Sequence, residues 1–132
     1  MKPINIKDKH TLFSKQWHPH RIATVDDMQV ILAKIKGEFV WHSHDDEDEL
    51  FQVVKGTLYM QFRASSDEAG SEGEIRTEVV KEGELIVVPK GVEHNPSTKD
   101  GEEVHLLLFE KLNTAHTGKV KDEMTQTEYP WI

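Results

Sequence analysis

His42-Ser43-His44-Asp45-Asp46-Glu47-Asp48-Glu49 is followed in this chain by the apolar run Leu50-Phe51-Gln52-Val53-Val54 and then by Gly56. Side chains alternate along a β-strand, so the two histidines point to the same face. The acidic turn lets a second strand return and bring Glu49 opposite them. Two imidazoles and a carboxylate on one side outline the ligand shell of a divalent transition metal. A fourth ligand has to come from elsewhere, and His94 is the candidate.

The rest of the chain has the texture of a β-protein. From Arg21 onward, short apolar runs alternate with Gly, Pro and Asp. They predict strands over 22–25, 29–36, 39–44, 49–54, 57–63, 75–80, 85–88, 92–95 and 104–110. This spacing indicates an all-β antiparallel sandwich or barrel, with helix confined to a short piece within 5–16.

Inside this pattern, several residues are predicted to fill the barrel: Phe51, Met60, Phe62 and Leu85. The segment 85–88 is read as a buried strand. The small, polar residues 64–73 are read as a solvated hairpin loop and the place where disorder is expected.

Length and composition predict one domain over residues 1–132. We divide it into an N-terminal arm (1–20), a barrel core (21–112) and a C-terminal tail (113–132). The tail is polar until its apolar end at 129–132, which we expect to dock onto the barrel or a partner subunit.

Charge and hydropathy exclude several classes of function. The formal net charge is -8, and no basic stripe is visible, so nucleic acid and anionic membrane are not expected partners. No apolar run approaches the ~20 residues of a membrane-spanning helix, and no signal peptide is visible. The chain has no cysteine, which excludes thiolate ligands and nucleophiles, and we expect a cytoplasmic location.

The remaining histidines receive ordinary interpretations. His18 and His20 flank Pro19 and are predicted to lie in a surface turn outside the metal site. His10 and His116 are predicted to be surface residues. His105 is interpreted as a core or interface histidine, and the acidic residues 45–48 as a solvated turn whose field attracts cations.

Two motifs carry a resemblance to the cupin superfamily. The first cupin motif, Gly-x5-His-x-His-x3–4-Glu-x6-Gly, is matched by His42, His44, Glu49 and Gly56. The second, Gly-x5-Pro-x-Gly-x2-His-x3-Asn, is matched by Gly83, Pro89, Gly91 and His94. Gly37 stands one residue closer to His42 than the first motif asks, and Thr98 replaces the final Asn of the second.

The resemblance implies a jelly-roll barrel that binds one metal through His42, His44, Glu49 and His94, with open positions for water or substrate. Fe, Mn, Ni, Cu and Zn all remain compatible with this ligand set. Nearly the whole chain is similar to small single-domain bacterial cupins labelled mannose-6-phosphate-isomerase-like, a label without an assigned substrate. The apolar terminus and the resemblance together predict a homodimer.

Two functional classes stay open at this point. The first is a metal-dependent enzyme acting on a small molecule, either a dioxygenase or a sugar isomerase or epimerase. A phosphorylated sugar would need a cation near the barrel mouth, for which Lys90 and Arg63 are candidates. The second is a non-catalytic, metal-stabilised module that binds or senses a small ligand.

Overall fold

The computed structural model describes residues 1–65 and 73–132, and most of the expected 64–73 loop lies outside the described residues. Within these ranges the chain forms one short helix and eight strands. In chain order they are α1 (Ile6–His10), β1 (His20–Val25), β2 (Met28–Ile35), β3 (Glu49–Lys55), β4 (Thr57–Arg63), β5 (Ile75–Lys81), β6 (Leu85–Val88), β7 (His94–Ser97) and β8 (Val104–Lys111).

The strands form two antiparallel sheets. The larger sheet has the order β1-β2-β8-β3-β6, and the smaller has the order β5-β4-β7. β8 lies between β2 and β3, which it pairs over most of its length. The chain runs from the larger sheet (β1 to β3) to the smaller one (β4 and β5) and then alternates between them through β6, β7 and β8. Two antiparallel sheets connected in this way form the jelly-roll arrangement predicted from the sequence.

The core lies between the two sheets and follows the period-two alternation of the strands. On β8, Val104, Leu106 and Leu108 are buried while the residues between them are partly exposed. On β4, Leu58 and Met60 are almost fully buried, as predicted, whereas Phe62 is only half-buried. Phe51 of β3 joins the same apolar cluster. Burial of this one face of each sheet fixes the strand register.

The segment 39–44 is not the regular strand that the apolar pattern predicts. Residues 37–44 run extended beside β7 and touch it through two isolated bridges, Glu38↔Ser97 and His42↔His94. The amide of Gly37 donates to Thr98 Oγ1, and the amide of Phe39 donates to Asn95 Oδ1. Side-chain oxygens thus accept hydrogen bonds that a neighbouring strand would otherwise accept through its backbone. Gly37 and Thr98, the two positions that differ from the cupin motifs, are joined by one of these hydrogen bonds.

β6 is also more exposed than predicted. Leu85 and Val87 are 56% and 48% exposed, so the prediction that Leu85 fills the barrel is wrong. β6 is the edge strand of the larger sheet, and only alternate side chains, Ile86 and Val88, reach the core. The prediction that 85–88 is a buried strand therefore holds for only one of its two faces.

The C-terminal tail docks onto its own barrel. The amide of Arg21 donates to the Pro130 carbonyl, and the amide of Ile132 donates to the Arg21 carbonyl. These bonds cover the free edge of β1, a device that blocks unwanted strand pairing. No helix in the described part of the chain is long and apolar enough to span a membrane.

Candidate metal centre

The four predicted ligands meet between the two sheets. His42, His44, Glu49 and His94 are all buried, and one ligand atom from each lies within 4.8 Å of the others. Glu49 opens β3 of the larger sheet, and His94 opens β7 of the smaller one. His42 and His44 lie on the extended segment beside β7, so Glu49 reaches them from across the barrel. The sequence instead predicts that Glu49 lies on a strand paired with the histidine segment.

Backbone hydrogen bonds hold the histidine-bearing segments in register. The amide of His42 donates to the His94 carbonyl at 3.1 Å, and the amide of His94 donates to the His42 carbonyl at 2.9 Å. The amide of Gly91 donates to the His44 carbonyl at 2.7 Å. This last bond connects the Pro89-Lys90-Gly91 turn of the second motif directly to the histidine pair of the first.

The tautomers of two ligands are fixed by backbone carbonyls. His42 Nδ1 lies 2.8 Å from the Val40 carbonyl oxygen, and His94 Nδ1 lies 2.9 Å from that of Val92. A carbonyl oxygen only accepts, so each Nδ1 carries the ring proton and each Nε2 presents a lone pair. This is the outer hydrogen bond that orients metal-bound histidines.

Two of the ligand side chains present a buried nitrogen that has no hydrogen-bond partner in the described ranges. Nε2 of His44 and Nε2 of His94 are buried without a hydrogen bond in the described residues. Each lies 3.4 Å from an oxygen of Glu49. The distance is long for a hydrogen bond, and these contacts do not have hydrogen-bond geometry. Ligands arranged around a shared metal ion have such separations. Because buried polar atoms are normally paired, the site fits a bound divalent cation.

The charges inside the cluster are strongly coupled. Burial alone would raise the pKa of Glu49, but His44 and His94 outweigh it and hold the pKa well below its usual range. For His44 the directions are reversed: burial alone would lower its pKa, but Glu49 outweighs burial and raises the pKa. Burial and the neighbouring His94 lower the pKa of His42 to about 4. Glu49 is therefore an anionic ligand, and His42 keeps its lone pair far below neutral pH.

A cavity adjoins the metal centre on one side. His42 and Glu49 form part of its wall, and most of the remainder is apolar: Trp17, Pro19, Ile31, Ala33, Ile35, Phe39, Phe51, Pro96, Leu106 and Leu108. The cavity has a volume of about 40 Å³, which is room for about three water molecules. Any molecule held there lies beside two of the four ligands.

Three further polar side chains line this cavity, and the sequence reading missed all of them. They are Glu110 at the end of β8 and His116 and Tyr129 of the tail. His116 was predicted to lie on the surface, but it packs against Phe39 with ring centroids 5.0 Å apart. Burial lowers the pKa of His116 to about 4. Only Glu110 had a readable signal, because it continues the inward-facing series Val104, Leu106, Leu108.

Glu110 is held by a short polar chain. Gln29 Nε2 donates to Glu110 Oε1 at 3.4 Å, and Arg21 Nε donates to Gln29 Oε1 at 2.9 Å. Glu110 and Gln29 are almost fully buried. Burial, together with the nearby charge of Glu49, raises the pKa of Glu110 well above its usual range.

The other histidines lie outside the metal centre, although not where the sequence placed them all. His10 is buried and stacks on the half-buried His105, with ring centroids 4.9 Å apart, so the surface prediction for His10 is wrong. His20 is also buried; it opens β1 and stacks on Phe13, so the prediction that it lies in a surface turn is wrong. His18 is half-buried and contacts Gln126 of the tail.

The charged residues near the entrance remain at the surface. Asp45, Asp46 and Asp48 are exposed, as predicted for a solvated turn. Asp45 pairs with Lys119 of the tail at 2.7 Å. Arg63 contacts Glu93 and the ring of Trp41, and neither Arg63 nor Lys90 lines the cavity.

A barrel of this topology with this ligand cluster defines a cupin. The chain belongs to that family: the model of the cupin domain, Cupin_2, matches residues 28–110. A solved cupin-2 domain containing protein from Shewanella frigidimarina superimposes with a TM-score of 0.71 at 41% identity, covering 82% of this chain and 93% of that one.

Curated relatives are similar to part of this chain. Uncharacterized protein YdbB of Bacillus subtilis is 36% identical over 67% of this chain and 64% of its own length. Germin-like protein 12-2 of Oryza sativa is 31% identical over 58% of this chain and 36% of its own length. The chain thus spans less than two thirds of these relatives.

Proposed function

We propose that this cupin is a metal-dependent enzyme of the dioxygenase type that acts on a small, unphosphorylated molecule. The observation that carries the proposal is the cavity that His42 and Glu49 share with an apolar wall. A bound divalent ion held by His42, His44, Glu49 and His94 would supply Lewis-acid and, if redox-active, electron-transfer chemistry. In a dioxygenase reaction both atoms of O₂ enter the substrate, so no external reductant is needed.

The lining of the cavity favours this reaction class over a sugar-phosphate isomerase. None of its described residues is Lys or Arg, so a doubly charged phosphoryl group buried there would lie beside the Glu49 carboxylate without a protein cation. Arg63 and Lys90 lie elsewhere, so the cation that the isomerase hypothesis needs has no candidate at the cavity. The cavity also has room for only about three water molecules, and a sugar phosphate has many more non-hydrogen atoms than that.

The chain's own residues have defined tasks in this proposal. Phe39, Phe51 and Leu108 exclude water from the side of the metal centre that faces the cavity. Val40 and Val92 hold His42 and His94 in the tautomer that presents Nε2. We place the chain by sequence in the mannose-6-phosphate-isomerase-like subgroup, without the activity in that label.

The test is oxygen uptake by protein reloaded anaerobically with Fe²⁺, and separately with Mn²⁺, Ni²⁺, Cu²⁺ or Zn²⁺. We expect O₂ consumption to depend on a small carbonyl- or hydroxyl-bearing compound and to be abolished in Glu49→Gln. Isomerisation of a phosphorylated sugar without O₂ consumption would contradict the proposal. Metal binding without turnover of any compound would favour the non-catalytic binding module.

A further inference from the structure

Two hydrogen-bond donors in the cavity wall have no partner in the described part of the chain. They are the imidazole Nε2 of His116 and the hydroxyl of Tyr129, both from the tail. Their rings contact each other edge to face, with centroids 5.9 Å apart. Both side chains are half-buried, and both line the cavity beside the metal centre. Two donors that line one cavity and have no partner among the described residues can together bind an acceptor held there.

The tautomer of His116 makes its Nε2 a donor. The backbone amide of Gln126 donates to His116 Nδ1 at 2.8 Å. An amide N–H can only donate, so Nδ1 holds a lone pair and the ring proton sits on Nε2. The contacts of the ring with Phe39 and Tyr129 fix its orientation. His116 therefore presents a neutral, oriented N–H to the cavity.

The two donors stand on a segment that closes the cavity. Thr117 next to His116 is fully buried, and its hydroxyl bonds both Val120 and Thr125 within the tail. Next to Tyr129, the Pro130 carbonyl accepts from the amide of Arg21. The tail is thus tied down on both sides of the donor pair, which keeps the two groups in place before any ligand arrives.

We propose that His116 Nε2–H and Tyr129 O–H together bind an oxygen acceptor of the substrate, a carbonyl or carboxylate oxygen, while the rest of the molecule lies toward His42 and Glu49. This inference rests on the proposed function, because it assigns the substrate of that same cavity. The chemical class is a molecule of a few non-hydrogen atoms with an oxygen acceptor at one end.

The experiment uses formate and formamide as probes, which have the same size and offer a charged and a neutral oxygen acceptor. Binding to Co²⁺-loaded protein is measured by calorimetry while the visible Co²⁺ spectrum is recorded. Tyr129→Phe removes one hydroxyl and should weaken formate binding roughly tenfold or more and formamide binding roughly threefold. Tyr59→Phe is the matched control, since Tyr59 lies on β4 outside the cavity wall, and should bind as wild type.

His116→Phe removes the other donor and decides the question if Tyr129→Phe does not fold. Unchanged formate and formamide affinity in the folded donor variants overturns the inference, as does a complete failure of both probes to bind wild-type protein. A Co²⁺ spectrum that changes with ligand at equal affinity in wild type and Tyr129→Phe supports the metal-based function and overturns the donor pair. Weakened binding in Tyr129→Phe with a ligand-independent Co²⁺ spectrum supports the donor pair and contradicts the metal-based function.

Discussion

His42 and His94 form a hydrogen-bonded antiparallel pair in which the amide of each donates to the carbonyl of the other, at 3.1 and 2.9 Å. Side chains of such directly opposed residues project from the same face, and the two imidazole centroids lie 4.4 Å apart. One β-bridge between the irregular segment and the start of β7 thus fixes the relative positions of two of the four ligands. The two sequence motifs meet in this pair.

The close packing of the tail against Ser43 is expected to require a glycine at position 118. Its φ is +58°, and an added Cβ would overlap the backbone carbonyl oxygen of Ser43, between two of the ligands. Gly118→Ala should lower the free energy of unfolding by about 2 kcal/mol or more, because both strain and the overlap act. Urea unfolding of chelator-treated protein measures this.

Gly83→Ala is the control for that substitution. Gly83 also has a positive φ, +82°, but an added Cβ there meets nothing within 4 Å. Its loss should stay near about 1 kcal/mol, from backbone strain alone. Equal losses in the two variants would show that the tail does not press on Ser43.

The stability of the metal-free protein should fall in mild acid because of His116. Burial holds its pKa at about 4, whereas an unfolded histidine has a pKa of about 6.5. The unfolded state therefore binds the proton first, so stability is complete above about pH 6.5 and decreases as the pH falls toward about 4. The expected loss from this one group at about pH 4 is about 3 kcal/mol.

His116→Asn isolates that effect, since asparagine can accept from the Gln126 amide but does not titrate. As the pH is lowered, the free energy of unfolding should fall more for the wild type than for His116→Asn. Parallel pH profiles for the two proteins would place His116 in contact with water and contradict its burial.

We propose that the chain is a homodimer in solution and that the outer face of β6 contributes to the contact. Leu85 and Val87 expose about half of their surface there, and β6 is an open sheet edge in the described residues. Val87→Lys should shift the protein toward monomer in light scattering at tens of micromolar. Val25→Lys on β1, where Val25 is similarly exposed at 53%, should not. A wild-type monomer at that concentration would refute the proposal.

Much of the fold is readable from the sequence because it depends on local periodicity. The alternation in 57–63 identifies the inward face of β4, and this pattern needs only the strand period and the residue types at each position. The spacings around His42 and His94 identify the ligands through the resemblance to the two cupin motifs.

The features that were missed depend on tertiary contacts. Leu85 looks buried because its neighbours are apolar, yet its exposure follows from the position of β6 at a sheet edge. His116 and Tyr129 stand in an irregular tail with no periodicity, so only the folded chain brings them to the cavity. The extended segment 37–44 replaces strand pairing with bonds to Asn95 and Thr98, which no local pattern indicates.

Metal content per chain tests the central claim most directly. Wild type, His42→Ala, His44→Ala, His94→Ala, Glu49→Gln and His18→Ala are purified without a tag, dialysed identically and measured by elemental analysis. Each of the three ligand histidine variants should lose most of the bound divalent transition metal, because each loses one ligand from the cluster. Glu49→Gln should bind more weakly with an intact fold, and His18→Ala should match the wild type. Metal retained in His44→Ala and lost in His18→Ala would contradict this assignment of the site.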